Sequence, residues 1–232
     1  LMESLIWDAL TDEQKMFLLY LSPFEMVTVQ QACALIGCST LPEYALNALE
    51  SPFIHYDAAE QQYELHSILA DLIIQKRNEC GVVFERQCLL RAGDFCRDEG
   101  RTTEALGFYA QIKDYERMLS LDLSQMIQET INSISFAELA LEIACSCPVQ
   151  IKKRHVLSML QIAWTLRMSG FIAQFDTLMK ELYEMPLNPI ESSDFCPMAT
   201  FCTSISILKG SLLSSLLSPP PLSLFFLSSL SF

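Results

Sequence analysis

Apolar residues recur three and four positions apart over most of the chain, the spacing that gathers them on one face of a helix. The pattern is clearest in RAGDFCRDEGRTTEALGFYAQIKDYERML, Arg91 to Leu119. It predicts one helix running to about Asp98, a second with Ala105, Phe108, Tyr109 and Ile112 on one face, and the start of a third from Tyr115. Gly100 falls where a helix wants a left-handed residue just past its end, and Thr102 is placed to cap the second helix with its hydroxyl. Gly93 is expected opposite Ala105, two small residues that let two backbones approach.

Upstream, three helix starts share one form, a Thr followed three residues later by Gln or Glu: Thr11 with Gln14, Thr28 with Gln31, Thr40 with Glu43. In such a capping box the hydroxyl and the longer side chain satisfy backbone N–H groups reciprocally. Ser22-Pro23, Gly37 and Ser51-Pro52 supply the stops. The period then changes to two. Phe53 to Asp57 and Gln62 to His66 alternate around a polar turn, and Ile54, Tyr56, Tyr63 and Leu65 would line one face of a β-hairpin. A helix from Ile68 to Asn78 follows and stops at Gly81. Three helices and then a β-hairpin is the order of a winged-helix domain, here over residues 1–80.

Beyond the central hairpin, helices are expected over Ser124 to Ile131, over Phe136 to Cys145, and from Pro148 through a stripe of Val156, Leu157, Leu160, Trp164 and Met168. Ser169-Gly170 breaks that helix, and Phe171, Phe175, Leu178, Met179 and Leu182 form the opposing face of another hairpin. Pro186 and Pro189 end it, and one more helix is expected from Asp194 to about Leu208. The fold class is therefore mainly α: a winged helix with a short β-hairpin, then a helical solenoid over residues 82–200. Residues 203–232 hold ten Ser, nine Leu, three consecutive Pro and one charge, Lys209. They read as a disordered tail or as out-of-frame or truncated coding sequence; Pro219-Pro220-Pro221 and the recurring Ser argue against a membrane span.

Charge narrows the functional classes. The net charge is −13, and residues 1–66 carry ten Asp or Glu against one basic residue, Lys15. The third helix, where a DNA-reading helix would lie, is LPEYALNALE and has no Lys or Arg to hold a phosphate or read a guanine. Nucleic-acid binding by this chain is therefore not expected. The nine cysteines show no disulfide framework; Cys33, Cys38, Cys88 and Cys96 lie on or beside apolar helical faces, as reduced, small hydrophobes would in a cytoplasm. Cys145 and Cys147 have only His155 nearby and lack a second pair at zinc spacing. His155 stands beside Lys152, Lys153 and Arg154, which read as a solvated helical face. His55 reads as a solvated hairpin residue. No Ser/His/Asp or Cys/His arrangement carries a supporting motif, so no enzyme active site, cofactor or metal is expected. The start at Leu1 reads as that of a fragment.

The spacing of Gly93, Ala105 and Tyr109 resembles the tetratricopeptide repeat, a helical hairpin of about 34 residues that stacks with its neighbours. The order LTDEQKMFLLYLSPFEMVTVQQA, SPFIHYD, YELHSILADLI and then the repeat resembles the middle of a bacterial transcriptional regulator of the LuxR family, MalT-type, a class of signal-transduction ATPases. The resemblance spans roughly residues 5–200. It implies an N-terminal ATPase module that is not in this chain, repeats that receive a small-molecule effector or regulatory protein, and self-association. It implies that His66 contacts the phosphate of bound ADP held by that module, and that ATP or ADP belongs to the parent protein only. Tyr109, Tyr115 and Trp164 are the candidates for a partner or effector surface if the repeats make a concave face. The motif G-x-x-x-x-G-K-[ST] and a basic C-terminal helix-turn-helix are absent, so ATP hydrolysis and operator binding are not expected of this chain. The alternative is a stand-alone repeat adaptor that binds a protein.

Overall fold

In the computed structural model, residues 6–184 are described. The described residues fall in one compact unit; the expectations for the helix after Asp194 and for the tail lie outside the described residues. Mainly α-helix with a small antiparallel sheet is the architecture. In order come α1 (Asp12–Leu21), β1 (Met26–Thr28), α2 (Val29–Ile36), α3 (Glu43–Leu49), β2 (Ile54–Asp57), β3 (Gln62–Leu65), α4 (Ser67–Glu79), α5 (Val82–Asp98), α6 (Thr102–Gln111) and α7 (Tyr115–Ser120). A single 3₁₀ turn (Met126–Gln128) leads to β4 (Thr130–Ile131) and β5 (Ile134–Ser135), then α8 (Phe136–Ser146), α9 (Val149–Arg154), α10 (Val156–Met168) and α11 (Ile172–Glu184).

Helix starts explain the first part. Thr11 makes both halves of its capping box with Gln14. Thr28 accepts from the Gln31 N–H. The third expected cap is not made: α3 starts after Pro42 without a side-chain cap, so Thr40 stays outside the helix. Thr28 also ends a strand that the hydrophobic pattern did not reveal, because three residues, MVT, are too few to show a period. That strand joins the hairpin in the order β1-β3-β2, antiparallel throughout. In the hairpin Ile54 pairs with Leu65 and Tyr56 with Tyr63, so the four expected residues do share a face. Ile54 and Leu65 enter the core, while the tyrosine pair, ring centroids 4.9 Å apart, lies at the exposed end.

Helices α5 and α6 form the central hairpin. Gly93 meets Tyr109: a Cβ on Gly93 would lie 2.5 Å from the Tyr109 Cε1 atom. Thr102 is the first residue of α6 and Arg101 precedes it, with no side-chain cap. Two further expectations are corrected. Ser124–Ile131 is not a helix but the 3₁₀ turn and β4, because Asn132 and Ser133 take positive φ and turn the chain into a two-residue ribbon. Asn132 then donates from Nδ2 to the Gly107 carbonyl at 2.7 Å. The long helix from Pro148 is two helices, interrupted at His155. Its buried face is Met159, Ile162, Ala163, Thr165 and Leu166, not the stripe through Leu157, Trp164 and Met168. An almost uniformly apolar segment offers several possible stripes, and packing on α8 and α11 selects one.

One contiguous core runs from Phe17 in α1 to Leu178 in α11. The first three helices and sheet are tied to the α5–α6 hairpin by specific contacts. Arg91 Nη1 donates to the Leu35 carbonyl at the end of α2, 2.7 Å away, with its guanidinium 4.5 Å over the Tyr20 ring. Phe24 meets Phe108 edge to face at 5.2 Å, and Gln30 donates to Glu99 at 3.2 Å. Among the described residues no helix is long and apolar enough to cross a membrane.

Candidate functional site

His66 sits where β3 hands over to α4. Its N–H donates to the Phe53 carbonyl at 2.9 Å, which anchors it to the hairpin. Its Nδ1 accepts from the Ile68 N–H at 3.3 Å, so the imidazole caps the helix. With Nδ1 engaged as acceptor, the neutral ring carries its proton on Nε2. The side chain is exposed and its ring meets Phe53 at 6.5 Å. The cap thus fixes the ring and leaves one donor for an external acceptor. The neighbouring Ile68 and Tyr56 are exposed at 41% and 47%.

The three aromatic candidates go to different places. Tyr109 is fully buried and presents no ring to a partner in this conformation. Its hydroxyl donates to Asp94 Oδ1 at 2.8 Å, and the same oxygen accepts from Arg97 Nη1 and Arg117 Nε, each at 3.1 Å. Burial first, then the Asp94 carboxylate, push the Tyr109 phenol well above its ordinary value. Tyr115 is half-buried against the core, and Trp164 is 56% exposed. Trp164 and Tyr115 are the two left with a reachable face. Trp164 lies in a line with Leu157 and Met168, both also exposed.

The basic cluster is not a free anion patch. Lys152 is 3% exposed and donates to the Ala144 carbonyl at 2.6 Å and to Glu181 Oε2 at 2.8 Å. Arg154 Nη2 and His155 Nε2 lie 2.8 and 3.0 Å from the two oxygens of Glu116. Lys153 and Arg154 are exposed, so the expected solvated face holds for these two and fails at Lys152, which the α8 carbonyl and Glu181 draw inside. Sequence spacing did not reveal Glu116 or Glu181, because each lies on a different helix about thirty to forty residues away. His55 is exposed on β2. Among the described residues no group of three or more His, Cys, Asp or Glu could hold a metal ion.

One cleft of about 310 Å³ opens between the start of α1 and α3, lined by Thr11, Glu13, Gln14, Glu43, Tyr44 and Asn47. Its two acidic side chains, Glu13 and Glu43, make a setting that repels a phosphate backbone. No Lys, Arg, His or Cys is among its lining residues.

Compared with family models, curated proteins and solved structures, the chain has no match.

Proposed function

We infer that this chain is the regulatory middle of a MalT-type, LuxR-family transcriptional regulator. A winged helix over residues 1–80 relays nucleotide state, and tetratricopeptide-like hairpins over 82–200 sense an effector and support self-association in the cytoplasm. Chemistry and operator binding belong to other modules. The observation that carries the reading is the junction. Arg91 grips the end of α2 through the Leu35 carbonyl and Tyr20, so a displacement of the hairpins is felt by the helices next to the sheet. The three-stranded sheet behind α1 to α3 and the docked α5–α6 hairpin are consistent with the two parts. His66, held by its cap, offers Nε2–H to the phosphate of an ADP bound by the missing ATPase module. Effector binding to the hairpins would then shift the population from the closed to the open form.

The coding sequence immediately upstream of Leu1 tests this. A phosphate-loop ATPase module there is expected, and a start codon or an unrelated domain overturns the reading. Purified alone, the chain is expected to show no change in unfolding midpoint with ADP; a shift with ADP alone contradicts the role given to His66. The exposed line of Leu157, Trp164 and Met168 favours the second reading, a protein-binding repeat adaptor. A peptide that stabilises the chain and loses its effect in Trp164→Ala would support the adaptor.

A further inference from the structure

Helix α2 ends in a turn that sets the positions of two cysteines. Gly37 takes the left-handed conformation, φ 75° and ψ 36°. Its N–H donates to the carbonyls of Cys33 and Ala34 at 2.9 and 3.2 Å, and the Cys38 N–H donates to the Cys33 carbonyl at 3.0 Å. That last bond runs from the sixth residue of the turn back to the first, the closure that brings the side chains at its two ends together. An apolar pair commonly fills this contact. Here both residues are thiols, placed at the two ends of that closure. Neither is in a disulfide. Cys33 is 8% exposed against the core, while Cys38 is half open to solvent.

We propose that Cys33 and Cys38 are a modification site: a thiol pair that peroxide converts to a reversible intramolecular disulfide. A disulfide spans Cα atoms about 4.4–6.8 Å apart, and a helix-end closure that ties the two residues through one backbone bond is suited to that reach. Cys38 is the sulfur that an external oxidant reaches. Its thiolate attacks one oxygen of hydrogen peroxide, the O–O bond breaks, hydroxide leaves, and Cys38 becomes a sulfenic acid. The Cys33 sulfur then attacks Cys38, the S–S bond forms and the S–O bond breaks, and the departing hydroxide takes the Cys33 proton. Two thiols and one peroxide give one disulfide and two waters; the pair loses two electrons and the peroxide gains them. Burial pushes the Cys33 thiol up, and the Cys38 side chain adds to this. The Leu35 carbonyl that holds Arg91 lies within the same turn. Closing the disulfide therefore pins the turn on which α5 is docked.

The chain itself provides a clean readout. Between Lys15 and Lys76 there is no other Lys or Arg, and Cys33 and Cys38 are the cysteines of that tryptic peptide. The reduced full chain is treated with hydrogen peroxide, alkylated with iodoacetamide, digested and weighed. The peptide is expected to carry no alkyl group and to be lighter by two hydrogens, and dithiothreitol is expected to restore double alkylation. Cys38→Ser, a change at a half-exposed side chain, is expected to abolish the two-hydrogen loss. The proposal is overturned if the wild-type peptide stays doubly alkylated under peroxide that oxidises the exposed Cys80 and Cys145. It is equally overturned if the peptide gains oxygen, joins a second chain, or still loses two hydrogens in Cys38→Ser.

Discussion

Gly93→Ala is the sharpest test of the central hairpin, because two effects of known sign oppose each other there. Glycine in a helix interior costs about 0.5–1 kcal/mol relative to alanine, so the substitution would stabilise α5 if the new methyl met only space. It does not. The added Cβ would lie 2.5, 2.9 and 3.1 Å from Cε1, Cδ1 and Cζ of Tyr109. A ring can yield when it is free to move, but Tyr109 is fully buried and its hydroxyl is tied to Asp94, itself held by Arg97 and Arg117. Overpacking of this kind costs about 1–3 kcal/mol. The balance is a net destabilisation of about 0–2.5 kcal/mol, the difference between those ranges. Urea unfolding of the full chain followed by far-ultraviolet circular dichroism reads it as a lower midpoint at unchanged slope. Tyr109→Leu, which removes the obstructing part of the ring, is expected to destabilise by itself yet to make Gly93→Ala less costly in the double variant. If Gly93→Ala raises the midpoint, as alanine does at an unencumbered helix position, the close contact between α5 and α6 is wrong.

Other expectations follow from the same contacts. The folded-state phenol of Tyr109 is raised, so it contributes stability that is whole below the unfolded value, about 10, and is lost as pH rises beyond it; midpoints from pH 8 to 11 should fall less steeply in Tyr109→Phe than in the wild type. Lys152→Met strips the Ala144 carbonyl of its partner and frees Glu181, and should cost about 1–3 kcal/mol, read by urea midpoint. Burial pushes the Cys88 and Cys96 thiols up to about 11, so maleimide at neutral pH should label exposed Cys80 and Cys145 within minutes while Cys88 and Cys96 react only after denaturation; rapid native labelling of Cys96 would contradict its place in the core. Arg91→Ala removes the bond to Leu35 and the stacking on Tyr20, and should cost about 1–2 kcal/mol and speed hydrogen exchange at the end of α2; unchanged exchange there would remove the junction from the relay.

Much of the local structure is legible along the chain because its causes are local. A hydroxyl three residues before a glutamine, a glycine past a helix end and a change of period from three-and-four to two each act within a few residues, and Thr11, Gly37, Gly100 and the Ile54–Leu65 hairpin stand where they lead one to look. Thr40 and Thr102 show the limit of the same rule. A Thr near a helix start is a capacity to cap, and the neighbouring Pro42 and Arg101 take the cap positions instead. The candidate surface was half legible: Trp164 is open, but Tyr109 carries the same aromatic signature and lies wholly inside.

What the amino-acid order determined by itself is the acidic balance, the helix punctuation, the hairpin and the capped position of His66, all set by neighbours in the chain. What only the tertiary structure decided is which side of each apolar helix is covered, and which charges find each other. Asp94 with Arg117, Lys152 with Glu181 and His155 with Glu116 join residues 23, 29 and 39 positions apart. Such pairs leave no period in the sequence, because the distance between them is fixed by how the helices stack and not by any repeat along the backbone.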